Sequence, residues 1–109
     1  MKFDMNKMLQ EAQRMQAELA KAQEEAATEV VEASAGGGMV TVRANGAGEV
    51  VSITIDPRGI DPDDPELLAD MVLAAVNEAL RSSRALMESK VSGLMPGGLG
   101  DLGGLLPGS

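Results

Sequence analysis

The fold is decided between residues 36 and 57, which read Gly36-Gly37-Gly38-Met39-Val40-Thr41-Val42-Arg43-Ala44-Asn45-Gly46-Ala47-Gly48-Glu49-Val50-Val51-Ser52-Ile53-Thr54-Ile55-Asp56-Pro57. From Met39 to Ala44 the side chains alternate. Val40, Val42 and Ala44 fall on one face and Thr41 and Arg43 on the other, the period of a half-buried strand. Glu49 to Ile55 repeats the pattern, with Val51, Ile53 and Ile55 facing one way and Val50, Ser52 and Thr54 the other. Asn45-Gly46 between them predicts a two-residue hairpin turn of type I′, which needs positive φ at both central residues. Upstream of the glycine run, Val30 and Val31 stand among polar residues and mark a further short strand. The strands are placed at about 28–34, 39–44 and 49–55. With connections this short they form an antiparallel meander.

On both sides of the meander the period changes to that of a helix. Met5, Met8, Ala12, Met15, Leu19, Ala22 and Ala26 recur at alternating intervals of three and four, a narrow packing seam on a helix over about 4–27. Asp4 is positioned to cap it. After the turn at Asp56-Pro57-Arg58-Gly59, Asp64, Pro65 and Glu66 give an N-cap, a first-turn proline and a first-turn acid. Leu68, Met71, Val72, Ala75, Ala79, Ser83 and Leu86 then line one face of a helix over about 65–91. The expected fold is α+β: a two-layer α-β-β-β-α unit with a three-stranded antiparallel meander and two long projecting helices. Residues 1–92 form a single domain, and the Gly-, Leu- and Pro-rich stretch 93–109 is expected to be a disordered tail.

Length adds a consequence. Helices of this size run about 36–39 Å, whereas six-residue strands span only ~20 Å. The first helix nevertheless keeps its apolar seam along its whole length. The unmatched part must be covered, and self-association is the simplest cover, with Met5, Met8, Met15 and Leu19 as the dimer contact.

Composition excludes several functions. The 109 residues include no Cys and no His and a single aromatic, Phe3, so imidazole bases, thiolate nucleophiles and His or Cys metal sites lack their parts. No enzymatic role, cofactor or small-molecule substrate is expected. The triple glycine lacks the Lys-Ser/Thr of a phosphate loop and leads into a strand. The acids from Asp56 to Glu66 lack EF-hand spacing and are read as turn and cap residues. With no apolar run of membrane-spanning length, no membrane partner and a cytoplasmic location are expected.

The net charge of −8 is unevenly spread. Residues 1–23 carry +1 and residues 81–95 carry +2, while residues 24–80 hold twelve carboxylates against Arg43 and Arg58, a balance of −10. The two less acidic segments are those that would project from the sheet.

Gly36-Gly37-Gly38-Met39-Val40-Thr41-Val42, then Asn45-Gly46, then Val51-x-Ile53-x-Ile55-Asp56-Pro57 resembles the central signature of the bacterial YbaB/EbfC nucleoid-associated proteins. The Met- and Gln-rich opening helix and a closing helix with Asn77 and Arg84 are similar too, so the resemblance covers about residues 1–95. It implies a cytoplasmic, nucleoid-bound homodimer of tweezer-like shape that binds DNA through helical arms and has no catalytic activity. Carried onto this chain, it points to Lys7, Arg14 and Lys21 on the first helix and Arg81 and Arg84 on the last as DNA-binding residues.

A plainer reading stands beside it. Glu11, Glu18 and Glu25 each follow a cation of the first helix by four residues, an arrangement that also makes a self-paired, solvated face. Lacking stacking aromatics and base-reading motifs, the chain is expected to bind duplex DNA through its backbone with little sequence specificity. The alternative is a dimeric protein–protein interaction module without strong intrinsic DNA binding, its partner a DNA-handling protein.

Overall fold

The computed structural model describes residues 4–94; the expectation of disorder for 95–109 lies outside the described residues. Helix α1 (Met5–Thr28) leads into strands β1 (Val30–Ala35), β2 (Val40–Asn45) and β3 (Val50–Ile55). A single 3-10 turn (Pro57–Gly59) precedes helix α2 (Pro65–Ser92). The strands form one antiparallel sheet in the order β1-β2-β3. This is the α-β-β-β-α arrangement read from the sequence. β1 starts at Val30 and not Thr28, because α1 continues through Thr28 and its last carbonyls accept from the Glu29 amide.

Both helices begin on aspartate caps. The Asp4 carboxylate accepts from the Lys7 amide and the Asp64 carboxylate from the Leu67 amide, each at 3.2 Å. On the sheet, Val40 pairs with Ala35 and Ile55, and Val42 with Ala33 and Ile53. These side chains share the face that α2 covers. There Ala33, Val40, Val42 and Ala44 pack on Ala75 and Ala79 of α2. The core is built from small side chains, so helix and sheet lie close together. The other face carries Ser34, Thr41 and Thr54 in one row and Glu32, Arg43 and Ser52 in the next. That face is solvated, and Arg43 pairs with Glu32 at 3.0 Å.

Two local expectations are corrected. The β2–β3 hairpin is not a type I′ turn at Asn45-Gly46, since neither residue has positive φ. The loop is Gly46–Gly48, closed by the Asn45 amide donating to the Glu49 carbonyl at 2.9 Å, and its left-handed residue is Gly48 at φ 84°. Gly46 serves another purpose, described below. The expected alternation of Val51, Ile53 and Ile55 is also broken. Arg43 pairs with Ser52 but Ala44 with Val50, so a bulge displaces Val51 from the ladder.

The helices take different courses. α2 runs across β1 and β2 and reaches β3 only at its margin. α1 leaves the sheet at the β2–β3 hairpin and runs outward, touching α2 but hardly the sheet. The molecule is accordingly long and thin, 75 × 34 × 16 Å.

Candidate nucleic-acid interface

The arm is fixed at its base by three contacts. The Gly46 amide donates to the Ala26 carbonyl at 2.9 Å, and a Cβ at Gly46 would run into that same carbonyl. Only glycine lets the hairpin approach the end of α1 this closely. The Ser83 hydroxyl, fully buried in α2, donates to the Asn45 carbonyl at 2.5 Å, tying α2 to the same hairpin. Lys90 then reaches Glu29 at 2.7 Å, and this carboxylate, with help from Glu25, holds the Lys90 ammonium above its usual pKa. Sequence reading missed this anchor. The one available signal was a serine at position 83 within an otherwise apolar stripe.

Beyond the base, the last turns of α2 lie along the C-terminal half of α1. A shallow groove between them is lined by Glu18, Lys21, Ala22, Glu25, Lys90 and Leu94. Both helices thus extend past the hairpin end of the sheet, as their lengths predict, and the N-terminal half of α1 continues alone.

Lys7, Arg14 and Lys21 occupy successive heptad positions on this arm and are exposed. At 1.5 Å per residue they span about 21 Å. Arg81 and Arg84 flank Ser83 and so stand level with the arm base, also exposed. The five cations are therefore strung along one end of the molecule and do not converge on a single pocket. Four of them, Lys7, Arg14, Lys21 and Arg84, have no ion pair among the described residues. The pairs that the spacing allowed with Glu11, Glu18 and Glu25 do not form. Arg81 does have a partner, Glu78 at 2.6 Å.

Five acidic side chains gather at the opposite end, while Glu11, Glu18, Glu24 and Glu25 lie on α1 itself. Val40 and Ile55 pair at the sheet end away from the hairpin, and Asp56, Asp61, Asp63, Asp64 and Glu66 follow directly. The expected capping roles are visible here. The Arg58 side chain and amide both donate to Asp56, which holds that carboxyl below its usual range, and the Asp63 amide donates to Asp61. No cluster of metal-ligating residues occurs among the described residues. Among them, too, no helix is long and apolar enough to cross a membrane.

The seam residues divide. Ala22 and Ala26 are buried and Leu19 is half-buried at the α1–α2 contact, whereas Met5, Met8 and Met15 are exposed on the free part of the arm.

Known proteins share this sequence and this shape. A nucleoid-associated protein of Acetivibrio thermocellus is 47% identical over 102 residues, covering 94% of this chain and 89% of the relative. One from Saccharopolyspora erythraea is 47% identical over 109 residues, covering 96% and 93%. One from Thermoanaerobacter pseudethanolicus is 50% identical over 95 residues, covering 87% and 86%. Among solved structures, an uncharacterized protein from Helicobacter pylori matches with a TM-score of 0.67 at 25% identity, covering 77% of this chain and 88% of that one. The profile of the YbaB/EbfC DNA-binding family matches residues 1–99, which takes in both helices, the whole meander and every cation of the arm. A meander with two projecting helices, relatives named for the nucleoid and a family match over both helices and the whole sheet lead to one conclusion: the chain belongs to the YbaB/EbfC DNA-binding family.

Proposed function

We propose that this protein acts in the cytoplasm on the nucleoid, as a homodimer that binds duplex DNA with little sequence specificity. Lys7, Arg14, Lys21, Arg81 and Arg84 make the contact. The observation that carries this reading is that four of these five cations are exposed on the projecting end with no ion pair among the described residues. Charges free of protein partners can exchange their counterions for phosphates, which is the main source of sequence-independent affinity. The acids beyond Ile55 lie at the far end and would repel DNA there, confining contact to the arm. Arg81 joins only by giving up Glu78, a small cost for an exposed pair.

The homodimer rests on Met5, Met8, Met15 and Leu19, whose seam is apolar and only partly covered within the chain. That seam lies roughly 130° around α1 from the Lys7–Arg14–Lys21 stripe, so both surfaces can be used at once. The alternative, an interaction module for a DNA-handling protein, drew on the net charge of −8 and on self-pairing of the arm cations. With those pairs unformed, DNA is the better-supported ligand.

Two arms bring ten cations. If about six meet phosphates, the logarithm of the binding constant should fall with that of salt at a slope of roughly −5. Changing Arg14 and Arg81 together to Glu should abolish duplex binding while light scattering still reports a dimer. Unchanged affinity in that double variant would refute the assignment.

A further inference from the structure

One peptide group of the β2–β3 hairpin is bonded to both helices. The Asn45 carbonyl accepts from the Ser83 hydroxyl of α2 at 2.5 Å. The Gly46 amide donates to the Ala26 carbonyl of α1 at 2.9 Å and to the Glu29 carbonyl at 3.2 Å. That carbonyl and that amide belong to the same peptide, which is planar and, being trans, points them in opposite directions. The plane is therefore a rigid strut with α2 at one end and α1 at the other. Its surroundings leave it little freedom. Ser83 and Gly46 are buried, and the Asn45 side chain accepts from the amides of Ala47 and Glu49 at 3.0 and 3.2 Å, which fixes the loop around it. A second link, Lys90 with Glu29 at 2.7 Å, is partly exposed and therefore weaker.

The strut stands between the two groups of cations. Arg81 and Arg84 flank Ser83 on α2, while Lys21, Arg14 and Lys7 lie outward from Ala26 along α1 at about 7.5, 18 and 29 Å. The set spans on the order of eight base pairs of duplex at roughly 3.4 Å each. Phosphates on a stiff duplex have fixed positions. Cations on two separate helices meet them together only when the helices keep one relative placement. Helices that moved independently would have to be ordered in every complex, and affinity would fall. We infer that Ser83 and Gly46 are positioning residues for DNA binding: acting through the Asn45–Gly46 peptide, they hold the α2 cations in register with those of α1. The inference rests on the duplex-binding reading above. Neither residue has to touch DNA, since both are buried. The serine within the apolar stripe of α2 then has a use, because alanine would fill the place but leave the strut unbonded to α2.

Anisotropy of a labelled random duplex, titrated with the full chain over a range of salt, tests this. Ser83→Ala and, as a separate disruption, Gly46→Ala would each be compared with the parent, and again in a background carrying Arg81→Gln and Arg84→Gln. Circular dichroism and light scattering establish that each variant is folded and of parental mass. At low salt Ser83→Ala should bind about tenfold more weakly than the parent. Its salt slope should be shallower by up to about 2, because the α2 cations no longer meet phosphates together with those of α1. A mere loss of folded protein lowers apparent affinity but leaves the slope alone. In the background without Arg81 and Arg84 the same substitution should change affinity by less than about twofold, since nothing is left to hold in register. Equal losses in both backgrounds would overturn the inference and assign the effect to the fold or to α1 alone. Parental affinity and slope in a folded Ser83→Ala or Gly46→Ala would overturn it too. A parent that binds no duplex at low salt overturns the duplex-binding reading, and the positioning role with it.

Discussion

α1 and α2 are of similar length, 24 and 28 residues, and both carry an apolar stripe at helical spacing. Their fates differ. α2 buries Ala75, Ala79 and Ser83 against the sheet, while α1 buries only Ala22 and Ala26, at the end where it meets α2 and the hairpin. In both helices the buried positions are small residues and the large apolar ones sit at the margins or stay exposed. Periodicity therefore reports that a helix has an apolar face, and side-chain size reports how closely that face is approached. Small residues permit close contact with backbone, as at Ala22 and Ala26, while Met5, Met8 and Met15 of the same seam stay exposed.

The comparison can be broken at the anchor. Gly46→Val forces side-chain atoms into the Ala26 carbonyl, and relief requires the arm to move off the hairpin. The expected cost is about 3 kcal/mol, the upper range for overpacking, measured by urea unfolding. A variant as stable as the parent would show that the arm is not fixed there. Next in size, Arg14→Glu with Arg84→Glu removes two cations that have no ion pair among the described residues and adds two repulsive charges. Duplex affinity should fall 10- to 100-fold, about 1.4–2.8 kcal/mol, with the folded fraction unchanged. The same pair of substitutions at Arg43 and Arg58, both ion-paired away from the arm, should leave affinity within about threefold.

Ser83→Ala sharpens the comparison at the α2 side. It removes the Ser83 donor while the Gly48 amide still donates to the Asn45 carbonyl at 3.1 Å, so the net worth of one hydrogen bond, about 0.5–1.5 kcal/mol of stability, should be lost. The smallest effect concerns Lys90. Its pKa is raised in the folded state by Glu29, so the stabilisation is fully present below the ordinary lysine value of 10.5 and fades as pH rises through the folded value. Unfolding midpoints of parent and Lys90→Met should therefore differ slightly at pH 8 and converge as pH rises through the folded value. A gap that persists there would assign the effect to packing of the lysine stem.

Most of the fold was legible because strand alternation, helix caps and the change of period between them point to the same elements. The hairpin was misread for a physical reason. Asn45-Gly46 carries a strong local signal, but Gly46 is spent on the close approach of α1, and Gly48 supplies the positive φ. A tertiary demand on one glycine cannot be seen in a local window. The course of α1 was also hidden, since a helix seam looks the same whether it lies on a sheet or points into solvent. The five candidate cations lie exposed at the projecting end, yet their pairing was not readable. An i,i+4 spacing permits an ion pair worth only a few tenths of a kcal/mol on a solvated helix, too little to dictate the rotamer.

The central claim is that a chain of net charge −8 binds duplex DNA through five exposed cations of its projecting end, Lys7, Arg14, Lys21, Arg81 and Arg84. Fluorescence anisotropy of a labelled random duplex, titrated with protein at low and near-physiological salt, tests it most directly. The account predicts binding that ignores sequence and weakens steeply with salt, at a slope of roughly −5. Absence of binding even at low salt would contradict it.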